Sequence, residues 1–177
     1  MKKYEFTSET ICIGGHILHR IRSLIDIENF GVKTGDLGGF IEKETSLAHT
    51  GDAWVYGDAM VYGNAMVCDD ALVYDNARVY GNAMVCDDAR VYGNAMVCDD
   101  ARVSRKNDIL TIGPIGSRND VTTFFRGQNK KIYVKCGRFS GTTDDFLEKV
   151  NKTHGSNKHA EIYKLATRLA IAQIDVE

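Results

Sequence analysis

From Ala53 to Val103 the triplet Ala-x-Val returns every six residues, nine times, without losing phase. In an extended segment, side chains two residues apart share a face, so the Ala and Val of every hexad point to one side. That side is the interior. Between the triplets lie Gly57-Asp58, Gly63-Asn64, Asp69-Asp70, Gly81-Asn82 and Asp99-Asp100. These pairs are turn chemistry, because Gly tolerates positive φ and Asn or Asp bonds its own backbone. A fixed short period of strand and turn describes a solenoid.

If three hexads close one triangular coil, the structure repeats every 18 residues and the rungs stack about 4.8 Å apart. That register makes external ladders of Tyr56, Tyr74 and Tyr92, of Tyr62, Tyr80 and Cys98, and of Cys68, Cys86 and Ser104. Trp54, Leu72 and Arg90 stack beside the first. The segment Gly-Asn-Ala-Met-Val-Cys-Asp-Asp-Ala recurs at 63–71, 81–89 and 93–101, first 18 and then 12 residues apart. Growth by duplication of hexads gives such a mixture and does not keep one strict external row.

The flanks differ from the array and set a division into 1–50, 51–106 and 107–177. Residues 1–50 carry six Lys/Arg and seven Asp/Glu, residues 51–104 three and nine, and residues 105–177 thirteen and eight. An acidic rod therefore precedes a basic unit, an asymmetry that bears on partners. Partial alternation in Lys3–Thr7 and Ile17–Ile27 predicts a β cap, since a solenoid end must cover its open core and strand edge. Ile109–Ile115, Val121–Phe125 and Lys131–Cys136 read as further strands. Thr142 or Thr143 is placed to cap a helix ending at His154-Gly155. Ser156 or Asn157 starts a second, with Ile162, Leu165, Ala166, Leu169 and Ala172 as its apolar stripe. The expected class is mainly β: a short parallel β-helix with an N-terminal β cap and a C-terminal small sheet plus helical hairpin.

Five cysteines, an odd number, and no apolar run of membrane length lead us to expect a reducing, cytoplasmic setting without membrane contact. On the rod the candidate binding residues are Trp54, Tyr56, Tyr74 and Tyr92 with Asp69, Asp70, Asp87, Asp88, Asp99 and Asp100. The second set is Arg118, Asn119, Asp120, Arg126, Arg138, His154, Lys158 and His159, where a Gly116-Ser117 loop could receive an anion. Cys136 with His154 is a weaker nucleophile pair, lacking an orienting group. Two stacked thiols and a hydroxyl do not make a tetrahedral zinc site, and the Asp pairs lack the Gly-rich nonapeptide of calcium-loading rolls, so no metal and no cofactor are expected.

The repeats resemble the left-handed β-helix of hexapeptide-repeat proteins, known best from trimeric acyltransferases. Gly35-Asp36-Leu37-Gly38-Gly39-Phe40-Ile41-Glu42-Lys43-Glu44, Leu110 to Asp120 and the tail from Phe139 to His159 look closer to phage- and prophage-encoded members. Such proteins are often labelled transferases from their repeats alone. Phe40 stands where that group is expected to carry Trp. The resemblance implies a left-handed coil and a homo-oligomer, dimer or trimer. An acyltransferase needs a histidine base on a coil, yet no histidine lies between 53 and 153 and only His49 approaches the array. The expected function is a non-enzymatic interaction protein or inhibitor that binds a host protein or nucleic-acid-handling complex through the acidic rod, blocking a defence system. The alternatives are sequestration of a nucleotide-type small molecule by the C-terminal region and acyl transfer from acyl-coenzyme A.

Overall fold

In a computed structural model, which describes residues 2–176, the chain begins with an antiparallel hairpin that runs directly into the solenoid. Strands β1 (Tyr4–Ile13) and β2 (His16–Ser23) meet at Gly14-Gly15, and β3 (Leu37–Ile41) lies antiparallel to β2. Its other edge pairs in parallel with the first coil, Phe40 with Met60 and Ile41 with Val61. Leu47 bridges to Val67. The segment 37–47 thus lays an extra rung beneath the hexads.

Nine two-residue strands follow: β4 (Trp54–Val55), β5 (Met60–Val61), β6 (Met66–Val67), β7 (Leu72–Val73), β8 (Arg78–Val79), β9 (Met84–Val85), β10 (Arg90–Val91), β11 (Met96–Val97) and β12 (Arg102–Val103). They sort into three parallel ladders, β4-β7-β10, β5-β8-β11 and β6-β9-β12, each pairing residues 18 apart. This is the register expected from the sequence. Backbone bonds link successive coils, as in Trp54 N–H to Ala71 O at 3.0 Å and Met60 N–H to Ala77 O at 2.9 Å. All nine Ala and nine Val side chains are buried. Each corner needs a left-handed residue, and positions 51, 57, 63, 69, 75, 81, 87, 93 and 99 all have φ between 50° and 73°. Gly fills five of them and Asp four, the residues for which this region costs least.

The N-terminal cap closes the floor. Lys3 is fully buried and its Nζ donates to Gly51 O at 3.2 Å and Ala53 O at 2.7 Å. Tyr4 donates to Glu44 O and Leu47 O, and its ring stacks on His49 at 4.6 Å. A turn at Glu28–Phe30 reaches the rod, where Asn29 Nδ2 donates to Asp52 and Phe30 lies 5.0 Å beneath the Arg90 guanidinium. Trp54 is fully buried in the core shared with Ile27 and Val32.

At the far end β13 (Ile109–Ile115), β14 (Asp120–Arg126), β15 (Ile132–Cys136) and β16 (Phe139–Thr142) form an antiparallel sheet in chain order. One side roofs the rod: Ile109 and Phe125 join the solenoid core, and Thr123 Oγ1 accepts the Met96 N–H at 3.1 Å. On the other side Phe124 and Val134 pack with α1 (Thr143–His154) and α2 (Lys158–Gln173). Buried Asp108 ties the junction, accepting the Ser104 and Arg105 N–H groups at 3.0 Å and pairing with Arg105 and Arg126. Thr142 and Asp145 form the capping box of α1, and Asn157 Oδ1 caps α2 through the His159 and Ala160 N–H groups.

One expectation for α2 is corrected. The stripe Ile162, Leu165, Ala166, Leu169 and Ala172 does not face the core; Leu165 is 57% and Leu169 52% exposed. The buried face is Ala160, Tyr163, Ala166, Thr167 and Ala170. Small residues let the helix approach the sheet closely, with Tyr163 filling the remaining space, and Thr167 satisfies its hydroxyl on Tyr163 O at 2.8 Å. No described helix is long and apolar enough to cross a membrane.

Candidate functional site

Two sheet turns and both helices meet around a cleft of about 300 Å³ in the C-terminal unit, at the small end of the range for ligand pockets. The β13–β14 turn brings Ser117 and Arg118, the β15–β16 turn Arg138, α1 Lys149, Thr153 and His154, and α2 Tyr163. Phe139, Phe146 and Val150 give it an apolar floor.

Close backbone approach sets this geometry. At Gly116, with φ 68°, an added Cβ would lie 2.1 Å from the Tyr163 hydroxyl, so only glycine lets the first turn reach α2. At Gly137, with φ 57°, a Cβ would fall 2.6 Å from Arg118 Nε, which places the guanidinium across the second turn beside Arg138. His154 Nε2 lies 3.3 Å from Ser117 Oγ, and its ring sits 5.8 Å from those of His159 and Tyr163. Burial raises the Tyr163 phenol above its ordinary range, with Cys136 adding to the shift. That keeps Tyr163 a neutral hydrogen-bonding group at neutral pH.

Three cations and a histidine line the cleft and no carboxylate does. Among the described residues, Arg118, Arg138 and Lys149 make no ion pair. Such a set, unneutralised and arranged over an aromatic floor, is suited to an anion carrying a flat apolar group.

The structure thus brings Arg118, Arg138 and His154 together out of the eight C-terminal candidates, with His159 behind His154. Asn119 and Asp120 are turn residues; Asn119 has φ 49° and Asp120 Oδ1 accepts the Val121 N–H. Arg126 pairs with Asp108 at the rod junction, and Lys158 is exposed on the first turn of α2. Lys149 was not singled out, since one lysine in a polar helix face carries no pattern. Cys136 is buried and accepts from Thr122 Oγ1 at 3.3 Å, while His154 turns to Ser117, so the two do not form a nucleophile pair.

On the rod, Trp54 is withdrawn as a surface residue by the cap that covers it. Tyr74 and Tyr92 stack at 5.2 Å, as do Tyr62 and Tyr80 at 5.1 Å, and Tyr56 and Tyr92 are exposed. The aspartates serve the corners. Asp69, Asp87 and Asp99 hold positive φ; Asp70 accepts the Asp52 N–H, Asp100 accepts from Asn82, and Asp99 from Ser140 Oγ. Asp88 is exposed, its carbonyl accepting from Arg90. Tyr74, Arg90 and Tyr92 border a larger cleft of about 450 Å³ against Lys106, Leu110 and Gln173. There Arg90 is already engaged by three carbonyls at 2.8–3.1 Å and by Phe30, so fewer free cations converge.

His49 Nδ1 accepts the Lys3 N–H at 3.2 Å, so the atom nearest a base role is engaged by the cap. The Sγ atoms of Cys68 and Cys86 and a carboxylate oxygen of Asp69 lie within 4.8 Å of one another and are the residues that could hold a metal. Burial drives both thiols upward in pKa, which favours their protonated form. All five cysteines are free thiols.

A family model described as the YdcK beta solenoid repeat matches residues 53–69 and 89–105. Both stretches lie on the rod, so the match and the coils together establish a repeat β-solenoid protein. No curated protein is significantly similar to the chain.

Proposed function

We propose that this is a non-enzymatic binding protein that sequesters a phosphate-bearing, nucleotide-type small molecule in the C-terminal cleft, with the solenoid as its scaffold. One observation carries the reading: Arg118, Arg138 and Lys149 come from three separate elements to one apolar-floored cleft without a facing carboxylate. Arginine forks match phosphate oxygens in pairs, Ser117 and Tyr163 add hydroxyls, and the aromatic floor suits a base. The likeness of Leu110–Asp120 and Phe139–His159 to phage- and prophage-encoded proteins places such capture in a bacterial cytoplasm, where removing a nucleotide signal would blunt a defence response.

Incubation with a nucleotide pool, followed by mass spectrometry of the released ligand and calorimetric titration, tests this. Arg118→Ala and Arg138→Ala are each expected to weaken binding about tenfold or more, one charged hydrogen bond being worth roughly 1.5–3 kcal/mol. Raising salt should weaken it further. Protein that stays empty at high concentration, or variants that bind as the parent does, would defeat the proposal.

A second reading rests on the exposed Tyr56 and Tyr92 and the Asp52, Asp70 and Asp88 row one coil apart. This acidic, aromatic edge would take a basic surface on a host protein or nucleic-acid-handling complex. A low-salt pull-down from bacterial lysate that recovers a partner lost on Asp70→Lys and Tyr92→Ala would support it; recovery of none would count against it.

A further inference from the structure

The face of α2 turned away from the sheet carries Leu165, Leu169 and Ala172 at steps of four and three, and all three are exposed. Beside them Ile112 and Ile115 of β13, with Ile162 and Ala166, form a shallow apolar groove of about 250 Å³. Two leucines more than half exposed on one helix, next to an apolar groove, form a contiguous patch of the kind that marks an association surface.

Charge placement says what covers it. Glu161 lies four residues before Leu165 and Arg168 three after, so both flank that leucine on one side of the helix. If a second α2 runs antiparallel across the first, with the two-fold axis close to Leu165, each Glu161 meets the Arg168 of the other helix. Each Leu165 and Leu169 pair then enters the facing groove. Acid and base arranged symmetrically about an apolar centre make a self-complementary patch, which is what an isologous contact requires.

We propose that α2 and β13 form the interface with a second copy of this chain, giving a two-fold dimer with the rods at its outer ends. The anion cleft opens on other residues, Arg118, Arg138 and Lys149, so dimerisation and ligand capture are separable.

Sedimentation equilibrium of the full chain tests the proposal, with circular dichroism confirming that each variant is folded. The parent should be a dimer, and Leu165→Glu should weaken it about 30-fold or more, as loss of a central interface anchor does. Glu161→Arg and Arg168→Glu should each weaken the dimer, since like charges then face across it. The double variant Glu161→Arg/Arg168→Glu restores opposite pairing and should recover most of the affinity. A parent that is monomeric at its highest soluble concentration, trimeric, or dimeric with a mass insensitive to Leu165→Glu overturns the proposal. So does a double variant no better than the singles.

Discussion

At the scale of single residues, two positions show how the rod is held. Lys3 is a cation with its charge buried against the Gly51 and Ala53 carbonyls, and desolvation lowers its pKa from 10.5 to about 8 despite Asp52 and Asp70 nearby. The folded state releases that proton earlier than the unfolded state. Between about pH 8 and 10.5 the unfolded chain therefore binds more protons, and stability rises with pH across this window. Tyr4, whose phenol burial raises above its ordinary 10.0, acts in the opposite sense at the upper end. The comparison with Lys3→Met isolates the amine: urea midpoints measured from pH 7 to 10 should climb more steeply in the parent than in the variant. Asp87 is the second case. With φ 50° it occupies a corner that glycine fills elsewhere, so Asp87→Gly should change stability by less than about 0.5 kcal/mol. Asp87→Val should cost about 1–2 kcal/mol, since a branched Cβ is strained in the left-handed region. Equal midpoints for the two variants would show that the corner's conformation does not select its residue.

At the scale of elements, the cleft depends on a close crossing of two turns. Gly137 lets Arg118 lie across the β15–β16 turn, and a methyl there would displace the guanidinium while straining a positive φ. Gly137→Ala is expected to keep the α1 and α2 signal, lose about 1 kcal/mol of stability, and weaken nucleotide binding as Arg118→Ala does. Unchanged affinity would remove Arg118 from the contact. The same scale shows what the sequence reveals and what it hides. The hexads gave the 18-residue register because strand alternation and corner chemistry are local. Residues 109–115 read as a strand with the bounds observed for β13, and Thr142 and Asn157 as helix caps, again from local signals. Strand β16 escaped notice because Phe139-Ser140-Gly141-Thr142 is short and carries little β propensity; its pairing with β15 makes it a strand. The apolar stripe of α2 was placed on the wrong face because Leu and Ile outweigh Ala in any pattern, whereas close packing on a sheet selects the smaller side chains. Trp54 sits in phase with external residues, and only the looped cap at 24–36, a non-local contact, buries it. Of the cleft, the arginines and His154 were legible as polar residues near glycines. Their convergence with Lys149 was not, since it follows from how α1 crosses the sheet.

At the scale of the whole molecule, the rod and the C-terminal unit share one core across their junction. Phe125 belongs to the solenoid's interior, while its neighbour Phe124 packs on Phe146, with ring centroids 6.3 Å apart. A β-strand with one face in each body passes a loss of packing from one to the other, so the two should unfold together. Asp108 fixes that coupling, being fully buried between Arg105 and Arg126 and accepting two backbone N–H groups from the end of the last coil. The chain's single tryptophan, Trp54, lies in the first coil at the opposite end, and its burial makes its emission a report on that end alone. The helices report on the other end through far-ultraviolet circular dichroism. In the parent the two signals should give the same urea midpoint. Asp108→Ala leaves two guanidinium groups and two N–H donors without their acceptor, a loss of about 3–5 kcal/mol for a broken buried pair. It strikes the roof and not the floor, so the helix signal should fall at lower urea than the Trp54 signal. A variant in which both signals still coincide, at a lower midpoint, would show the rod unable to stand without its roof. Two separate midpoints in the parent would show that the shared strand does not couple them.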